Sequence, residues 1–182
     1  MRWPVETFVL GAAHSGKSEW ALTQLNLDAP TTVIGTAVLS GLEDRINSLK
    51  NARPKHWKHL ESGDLFDQLK LAFAAAPDQI VIDSLNQWLA NYLLDSWLKY
   101  DRKQHEARIT LELERLFHII DAHPSTHVLS VSSEVGAGIT PPDELSRFFR
   151  QTLGHVNQRF AARANTVVQI VAGLPIFMTK VR

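Results

Sequence analysis

Apolar positions divide the chain into short continuous runs and longer segments in which apolar residues recur at every third or fourth position. The short runs indicate buried strands, and the longer spacing indicates helices that bury one face. We predict strands at residues 7–10, 31–35, 79–83, 126–132 and 166–171, and an edge strand at 175–180 that pairs with its predecessor through a turn at Gly173. Strands and helices that alternate in this order form an α/β fold, a mostly parallel sheet flanked by helices, here with a C-terminal edge hairpin.

Four segments have the spacing of helices. The first runs from Lys17 to about Asn26, and the last runs from about Asp143 to Ala164 after Pro141-Pro142. Between them, two sets of apolar residues recur at helical spacing: Leu85, Trp88, Leu89, Tyr92 and Leu93, and then Ile109, Leu113, Leu116, Phe117 and Ile120. The chain contains no repeat, low-complexity tract or linker, so we expect a single domain over residues 1–182.

A phosphate-binding motif directly follows the first predicted strand. The pattern G-x-x-x-x-G-K-S/T is complete in Gly11, Ala12, Ala13, His14, Ser15, Gly16, Lys17 and Ser18. Between a strand and a helix, the backbone N–H groups of such a loop surround phosphate oxygens, and the helix N-terminus adds a partial positive charge. Lys17 would reach the β- and γ-phosphates, and the Ser18 hydroxyl would bind Mg²⁺. The alternative is a glycine-containing turn with an exposed lysine, but the context favours a P-loop NTPase-like domain that binds a nucleoside triphosphate.

Composition narrows the possible partners. Lys and Arg number 19, and Asp and Glu also number 19, so no net charge draws the chain to nucleic acid or to an anionic membrane. The absence of cysteine excludes disulfides, thiolate zinc sites and cysteine nucleophiles. No apolar run approaches the roughly 18 residues of a membrane span. The phosphate loop begins close to Met1, and we therefore expect a cytoplasmic protein without a signal peptide.

Two acidic residues lie at or just after the carboxyl ends of predicted strands. In open parallel sheets the ligand lies beyond the carboxyl ends of the strands, so the loops after residues 10, 35, 83 and 132 are expected to surround the active site. Asp83 ends an apolar strand, and we predict that it binds or polarises Mg²⁺, although an aspartate at this place also often caps the next helix. Glu134 lies in a loop with two glycines, which either acts on a ligand or only positions the following helix.

Histidines and tryptophans give weaker signals. None of the eight histidines belongs to an H-x-x-x-H pair flanked by a carboxylate at metal-ligand spacing, and we expect His118, His123 and His127 to be exposed. Trp57 lies in a polar run, where its ring would either flank a nucleotide base or anchor a loop.

Further motifs extend over nearly the whole chain. They are Gly35-Thr36-Ala37 for A-T-A/S, Arg45-Ile46 with Arg53-Pro54 and His56-Trp57 for R-I-x-x-H-x-x-x-R-P-x-H-W, Asp83-Ser84-Leu85 with Trp88-Leu89-Ala90-Asn91 for D-C-L-T-x-W-L-x-N, and residues 132–141 for S-N-E-V-G-x-G-I-V-P. Together with the phosphate loop, this set resembles the adenosylcobinamide kinase/adenosylcobinamide-phosphate guanylyltransferase family of the cobalamin pathway.

The resemblance implies an enzyme that uses one nucleotide site for two steps. The first step phosphorylates the hydroxyl of the aminopropanol arm of adenosylcobinamide, and the second moves GMP from GTP onto that phosphate through a guanylylated histidine. The resemblance also implies a homotrimer with sites between subunits, a triphosphate and Mg²⁺ held by Lys17 and Ser18, and Asp83 near the metal or the phosphates. By the same resemblance, the nucleotide would be lined by Gly35, Thr36, Ala37, Lys50, Asn51, Ala52, Arg53 and Glu61.

A leucine occupies the position of the family's guanylylated histidine. The fourth residue after Arg45 is Leu49, whose side chain has no nucleophilic atom. The resemblance together with this leucine therefore implies phosphorylation of a corrinoid, with ATP or GTP as co-substrate, and no guanylyl-histidine intermediate at this position. Two alternatives remain: a bifunctional enzyme with a relocated histidine such as His56 or His59, and a nucleotide-binding regulatory protein without catalysis.

Overall fold

Seven strands form one sheet in the part of the chain that the computed structural model describes, residues 6–36, 53–61 and 64–178. The strands are β1 (Glu6–Gly11), β2 (Thr31–Gly35), β3 (Lys58–Glu61), β4 (Gln79–Asp83), β5 (His127–Ser133), β6 (Thr166–Val171) and β7 (Leu174–Met178). The helices in these ranges are α1 (Lys17–Thr23), α2 (Leu65–Ala74), α3 (Leu85–Ser96), α4 (Arg102–Asp121) and α5 (Glu144–Arg163).

The sheet is parallel except at one edge. Its strand order is β3-β2-β4-β5-β1-β6-β7, and β7 alone runs antiparallel to its neighbour. The register pairs Gly35 with Asp83 and Gly11 with Ser133, so these strand ends lie at the same edge. The predicted α/β fold, a mostly parallel sheet with a C-terminal edge hairpin, is confirmed.

Alternate strand residues pack against helices on opposite faces of the sheet. On one face, Phe8, Ile34, Ile80 and Val128 join the apolar sides of α2, α3, α4 and α5. On the other face, Val9, Val33, Val81 and Leu129 join a smaller cluster with residues of α1. Burial on both faces explains why the strands are continuous apolar runs in the sequence. No helix in the described ranges is both long enough and apolar enough to cross a membrane.

Aspartates mark the starts of three helices. The side chain of Asp64 accepts backbone N–H groups of the first turn of α2. Asp101 accepts the backbone N–H of Gln104 at 2.9 Å and donates its own N–H to the Gln104 side chain at 3.0 Å, which forms a capping box on α4. Asp143 accepts the N–H of Ser146 at 2.7 Å and so begins α5 near the predicted position. This hydrogen bond lowers the pKa of Asp143.

The structure adds two elements and shortens one. The apolar pattern predicts neither strand β3 nor helix α2, and β3 lies in a polar run with a single strongly apolar residue. As an edge strand it pairs with β2 alone. Helix α1 ends at Thr23 instead of about Asn26, because the N–H and carbonyl of Asn26 bond to the Gln79 side chain, both at 2.9 Å. Residues 179 and 180 of the predicted edge strand lie outside the described residues.

Candidate functional site

The loop between β1 and α1 turns tightly and leaves backbone N–H groups at the start of α1. His14 and Gly16 have positive φ angles of 56° and 90°, a conformation that glycine adopts at low cost. The Ser15 N–H donates to the Ala12 carbonyl at 3.2 Å. Gly16 occupies the N-cap of α1 and has no side chain to bond the first-turn N–H groups, which are the donors that an anion can accept from.

Close packing explains the first glycine of the motif. A Cβ atom on Gly11 would lie 2.5 Å from Ser15 Oγ and 2.8 Å from the Ile170 carbonyl oxygen. The Ser15 carbonyl accepts the N–H of Gly173 at 2.9 Å, which ties the loop to the turn between β6 and β7. The buried Ser15 Oγ has no hydrogen-bond partner in the described part of the chain. The loop is thus held rigidly at the carboxyl end of β1.

Lys17 and Ser18 begin helix α1 and are both buried. The Lys17 ammonium donates to the Ala12 carbonyl at 3.1 Å, so it lies folded over the loop. Ser18 Oγ donates to Asp83 Oδ1 at 3.3 Å. The motif and the carboxylate at the end of β4 therefore meet, although 65 residues separate them in sequence.

Asp83 has a second partner in Arg53. Arg53 Nη2 donates to Asp83 Oδ2 at 3.3 Å, and the two side chains are only 7% and 15% exposed. Burial lowers the pKa of Arg53, while the charges of Asp83 and Glu61 oppose that shift. Asp83 does not cap the next helix, because Ser84 occupies the N-cap of α3. The carboxylate is thus directed at Ser18 and Arg53.

Thr36 and Asn91 fix the backbone around Asp83. The Thr36 N–H donates to the Asp83 carbonyl at 3.1 Å, and its hydroxyl donates to the Ser84 carbonyl at 2.6 Å and accepts the Ser84 N–H at 2.9 Å. Asn91 Nδ2 donates to the Thr36 carbonyl at 2.7 Å. The sequence pattern predicts no role for Asn91. Its only signal was its place in a motif, eight residues after Asp83.

Glu61 completes this corner of the sheet. It ends β3 and pairs with Gly35 in the register of β2 and β3. A Cβ atom on Gly35 would lie 3.5 Å from Glu61 Cγ, an ordinary van der Waals contact, so the acidic side chain lies against the end of β2. Gly35, Thr36, Arg53 and Glu61 are therefore gathered near Asp83. Ala37, Leu49, Lys50, Asn51 and Ala52 lie outside the described residues.

The loop after β5 is attached to the phosphate loop through its backbone. The Glu134 N–H donates to the Gly11 carbonyl at 3.0 Å. The Glu134 carboxylate accepts the N–H of Gly136 within its own loop, and Arg150 of α5 donates to the Gly136 carbonyl. Arg147 donates to the Pro141 carbonyl at 3.1 Å. Contacts from α5 therefore hold the loop in place. The Glu134 carboxylate accepts its hydrogen bond from within the same loop.

The burial of the side chains tests the predictions made for Trp57 and for three histidines. Trp57 is 4% exposed, and its Nε1 donates to the Leu27 carbonyl at 3.3 Å, so the ring anchors a loop. The expectation of an exposed His127 is wrong: the side chain is buried, and its Nε2 lies 3.0 Å from Thr7 Oγ1. Burial lowers the pKa of His127. His118 is exposed as predicted, and the half-buried His123 stacks on Phe73 with ring centroids 4.0 Å apart.

No group of three or more His, Cys, Asp or Glu in the described ranges is placed to hold a metal ion.

The parallel sheet and the loop at its carboxyl edge define a P-loop NTPase-like protein. A solved structure titled as a prototypical ATPase from the type III secretion system of pathogenic bacteria superposes on 91% of this chain with a TM-score of 0.54 and 10% identity. This chain covers 52% of that chain, and the likeness at this identity shows a shared fold.

Residues 7–178 match the protein family described as cobinamide kinase / cobinamide phosphate guanyltransferase. The chain is 31% identical to the bifunctional adenosylcobalamin biosynthesis protein CobU of Escherichia coli (strain K12) and 35% identical to CobU of Salmonella typhimurium, with 92% of this chain and 96% of each relative covered. It is 34% identical to the bifunctional protein CobP of Pseudomonas aeruginosa, with 92% and 94% covered. The chain belongs to the cobinamide kinase / cobinamide phosphate guanyltransferase family, a family of transferases, and the resemblance read from its motifs is confirmed.

Proposed function

We propose that this protein phosphorylates the hydroxyl on the aminopropanol arm of adenosylcobinamide, with ATP or GTP as the phosphoryl donor. One observation carries the proposal: the phosphate loop, Lys17, Ser18 and Asp83 meet at one edge of the sheet in a chain of this family. We further propose that residues 1–182 act as a single domain and that the protein works in the cytoplasm on a corrinoid, without nucleic acid.

The donor atoms near the loop fit a hard divalent cation. Ser18 Oγ and the Asp83 carboxylate are oxygen donors 3.3 Å apart, and oxygen is the ligand that Mg²⁺ prefers. Ser18 and Asp83 would hold Mg²⁺, which when bound neutralises charge on the phosphate oxygens. Arg53 would keep the Asp83 carboxylate in place through its contact with Oδ2.

The remaining steps use groups of the chain itself. The N–H groups of the loop would bind phosphate oxygens, and Lys17 would exchange the Ala12 carbonyl for the β- and γ-phosphates. The acceptor oxygen attacks the γ-phosphorus, the bond to the bridging oxygen breaks, and nucleoside diphosphate leaves. Because the transition state is loose, positioning and charge neutralisation supply most of the catalysis.

We propose that Glu134 orients the acceptor hydroxyl or takes its proton. Its backbone is bonded to Gly11, so the loop lies against the first residue of the phosphate-binding motif. To orient the acceptor hydroxyl or to take its proton, the carboxylate would have to leave the N–H of Gly136. The contacts of Arg147 and Arg150 hold the rest of the loop during such a change.

We propose that guanylyl transfer through a histidine is lost in this chain. The relatives in Escherichia coli and Salmonella typhimurium are named bifunctional, but Leu49 stands at the nucleophile position and supplies no lone pair. The second candidate function is the complete two-step activity with His56 or His59 as nucleophile, which the names of these relatives favour.

We propose a homotrimer, as the family resemblance implies, and the exposed apolar surface of β7 supports self-association. Leu174, Ile176, Phe177 and Met178 are 49–69% exposed, and such a patch on an edge strand is typical of an interface. Sedimentation should give a species of three 20.4 kDa chains, and Phe177→Asp should shift it toward monomer.

Nucleotide turnover with and without adenosylcobinamide tests the kinase proposal. We expect turnover to depend on the corrinoid, and we expect Lys17→Ala to weaken nucleotide binding by tenfold or more, since it removes a charge-assisted contact of about 1.5–3 kcal/mol. Ser18→Ala should raise the Mg²⁺ concentration that is required. Turnover that does not depend on the corrinoid would point to another enzymatic role, and nucleotide binding without turnover would point to the non-catalytic alternative.

A further inference from the structure

A second concavity lies beside the candidate site, between helices α3 and α4; we call it the α3–α4 groove. It encloses about 620 Å³, within the range of small-molecule sites, roughly 300–1,000 Å³. Thr36 lines it, and the same residue donates its N–H to the Asp83 carbonyl at 3.1 Å. The groove therefore begins at the residue that borders the proposed phosphate and metal site.

Matching rows of side chains line the two helices of the groove. The rows are Trp88, Tyr92 and Asp95 on α3 and Arg108, Glu112 and Arg115 on α4. Both have the spacing i, i+4, i+7, which places each row on one face of its helix. Facing helices in a core would carry aliphatic residues at such positions. These rows carry aromatic and charged groups instead, so the space between them is suited to a polar ligand.

The groove has an apolar floor and a charged rim. Trp88 and Ile109 are 8% and 4% exposed and form part of the floor. At the rim, the Arg108 guanidinium stacks on Tyr100 at 3.9 Å from the ring centroid. Stacking uses the face of the guanidinium and leaves its edge N–H groups able to donate. Asp95 is exposed and adds acceptor oxygens.

The charges that line the groove cancel. The lining includes three cations, Lys99, Arg108 and Arg115, and three carboxylates, Asp64, Asp95 and Glu112. Arg115 and Glu112 already pair at 2.9 Å, and Arg115 also lies 4.0 Å from the Phe66 ring centroid. A phosphate site would need an excess of positive charge. A ligand with donors and acceptors but little charge at its edge fits the lining better.

We propose that the α3–α4 groove binds the acceptor substrate through a carboxamide-bearing edge of the corrinoid, next to the arm that carries the hydroxyl. This inference rests on the proposed function. A primary carboxamide both donates and accepts, so its carbonyl would accept from Arg108 and its NH₂ would donate to Asp95. Trp88 and Tyr92 would pack against the apolar part of the ligand. The arm would then extend past Thr36 toward the phosphate site.

Equilibrium dialysis of adenosylcobinamide tests the groove directly, alongside titration of ATP and steady-state phosphorylation. The variants are Arg108→Ala, which removes the stacked donor, and Asp95→Trp, which fills the groove from an exposed helix position. The matched control is Arg102→Ala, an exposed arginine on the same helix that does not line the groove. We expect each groove variant to raise the dissociation constant and KM for the corrinoid about tenfold, with ATP affinity within twofold and the control unchanged.

Each outcome decides between the two claims. Unchanged corrinoid affinity in both groove variants overturns the groove, even if the wild type phosphorylates the corrinoid. A parallel loss of ATP affinity also overturns it, because the groove would then hold part of the nucleotide. If corrinoid binding depends on the groove but no phosphoryl transfer follows, the proposed function is overturned. The groove then remains the binding site of the corrinoid. A wild type that does not bind the corrinoid overturns both.

Discussion

At the residue scale, the carboxylate of Asp83 accepts hydrogen bonds from two side chains. Ser18 donates to one carboxylate oxygen and Arg53 to the other, each at 3.3 Å. Both members of the Arg53–Asp83 pair are largely removed from water, and a desolvated charge is costly once its partner is lost. Arg53 is thus a positioning residue for the carboxylate that we propose as a metal ligand.

Replacement of Arg53 should reveal this coupling. We expect Arg53→Ala to lower the free energy of unfolding by about 2 kcal/mol, below the 3–5 kcal/mol of a fully buried pair because Asp83 is partly exposed. Urea denaturation of Arg53→Ala, Asp83→Asn and the double variant gives the coupling energy. Arg53→Lys should lose less because it keeps a positive charge. Additive losses in the double variant would show that the pair does not interact energetically.

Stability should also depend on the protonation of His127. Burial lowers the pKa of His127 in the folded protein below its ordinary value of 6.5, so the unfolded chain binds this proton more readily. The stabilising contribution is complete above pH 6.5 and falls as the pH decreases through that value. We expect the free energy of unfolding to drop between about pH 7 and pH 5, and His127→Gln to reduce the drop. Equal pH profiles for the variant and the wild type would contradict this assignment.

Local pattern identified some residues of the site and missed others for physical reasons. Lys17 and Ser18 belong to one contiguous motif, and Asp83 ends an apolar run. The contact of Arg53 with Asp83 joins residues 30 positions apart, and no local spacing encodes it. His127 was expected to be exposed, but the register pairs it with Gln79 inside the sheet.

At the scale of elements, helix α4 depends on its start. It has 20 residues, and Asp101 and Gln104 cap it reciprocally. We expect Asp101→Ala to lower the free energy of unfolding by about 1 kcal/mol, because a backbone donor loses its acceptor. Asp101→Asn should lose little, since asparagine is an equally good N-cap. Chemical denaturation of the two variants measures the difference, and equal losses would exclude capping as the cause.

Of the two elements absent from the sequence prediction, one has a weak apolar pattern and the other a clear one. Strand β3 lies at the sheet edge and contributes one strongly apolar residue, Leu60, so its run did not differ from a polar loop. Helix α2 does have apolar residues at helical spacing, Leu65, Leu69, Ala72 and Phe73, and this signal could have been recognised. The strand order follows from long-range pairing, which local patterns along the chain do not reveal.

At the scale of the whole molecule, the parallel sheet gathers strand ends from distant parts of the chain into one site. The class of fold followed from the alternation of strands and helices together with the phosphate loop. The activity depends on the identity of single residues, and Leu49 is the most informative of them, because it occupies the position of the family's histidine. In our proposal, the leucine at this position removes the guanylyl step and leaves the groups proposed for phosphoryl transfer in place.

Incubation with GTP labelled at the α-phosphate tests the proposed loss of guanylyl transfer. We expect no acid-labile label on the denatured protein, because Leu49 has no nucleophile. Label that maps to His56 or His59 would establish a relocated nucleophile and refute this prediction. As a complementary trial, Leu49→His would show whether a histidine at this position is sufficient to recover the covalent intermediate.

The most direct test of the central claim is transfer of the γ-phosphate to the corrinoid. Wild-type protein is incubated with Mg²⁺, adenosylcobinamide and ATP or GTP labelled at the γ-phosphate, and the corrinoid is then separated from the nucleotide. We predict labelled adenosylcobinamide phosphate with the wild type, and a loss of tenfold or more in rate with Lys17→Ala. Nucleotide binding without any labelled corrinoid, at stoichiometric protein and with either nucleotide, would contradict the account.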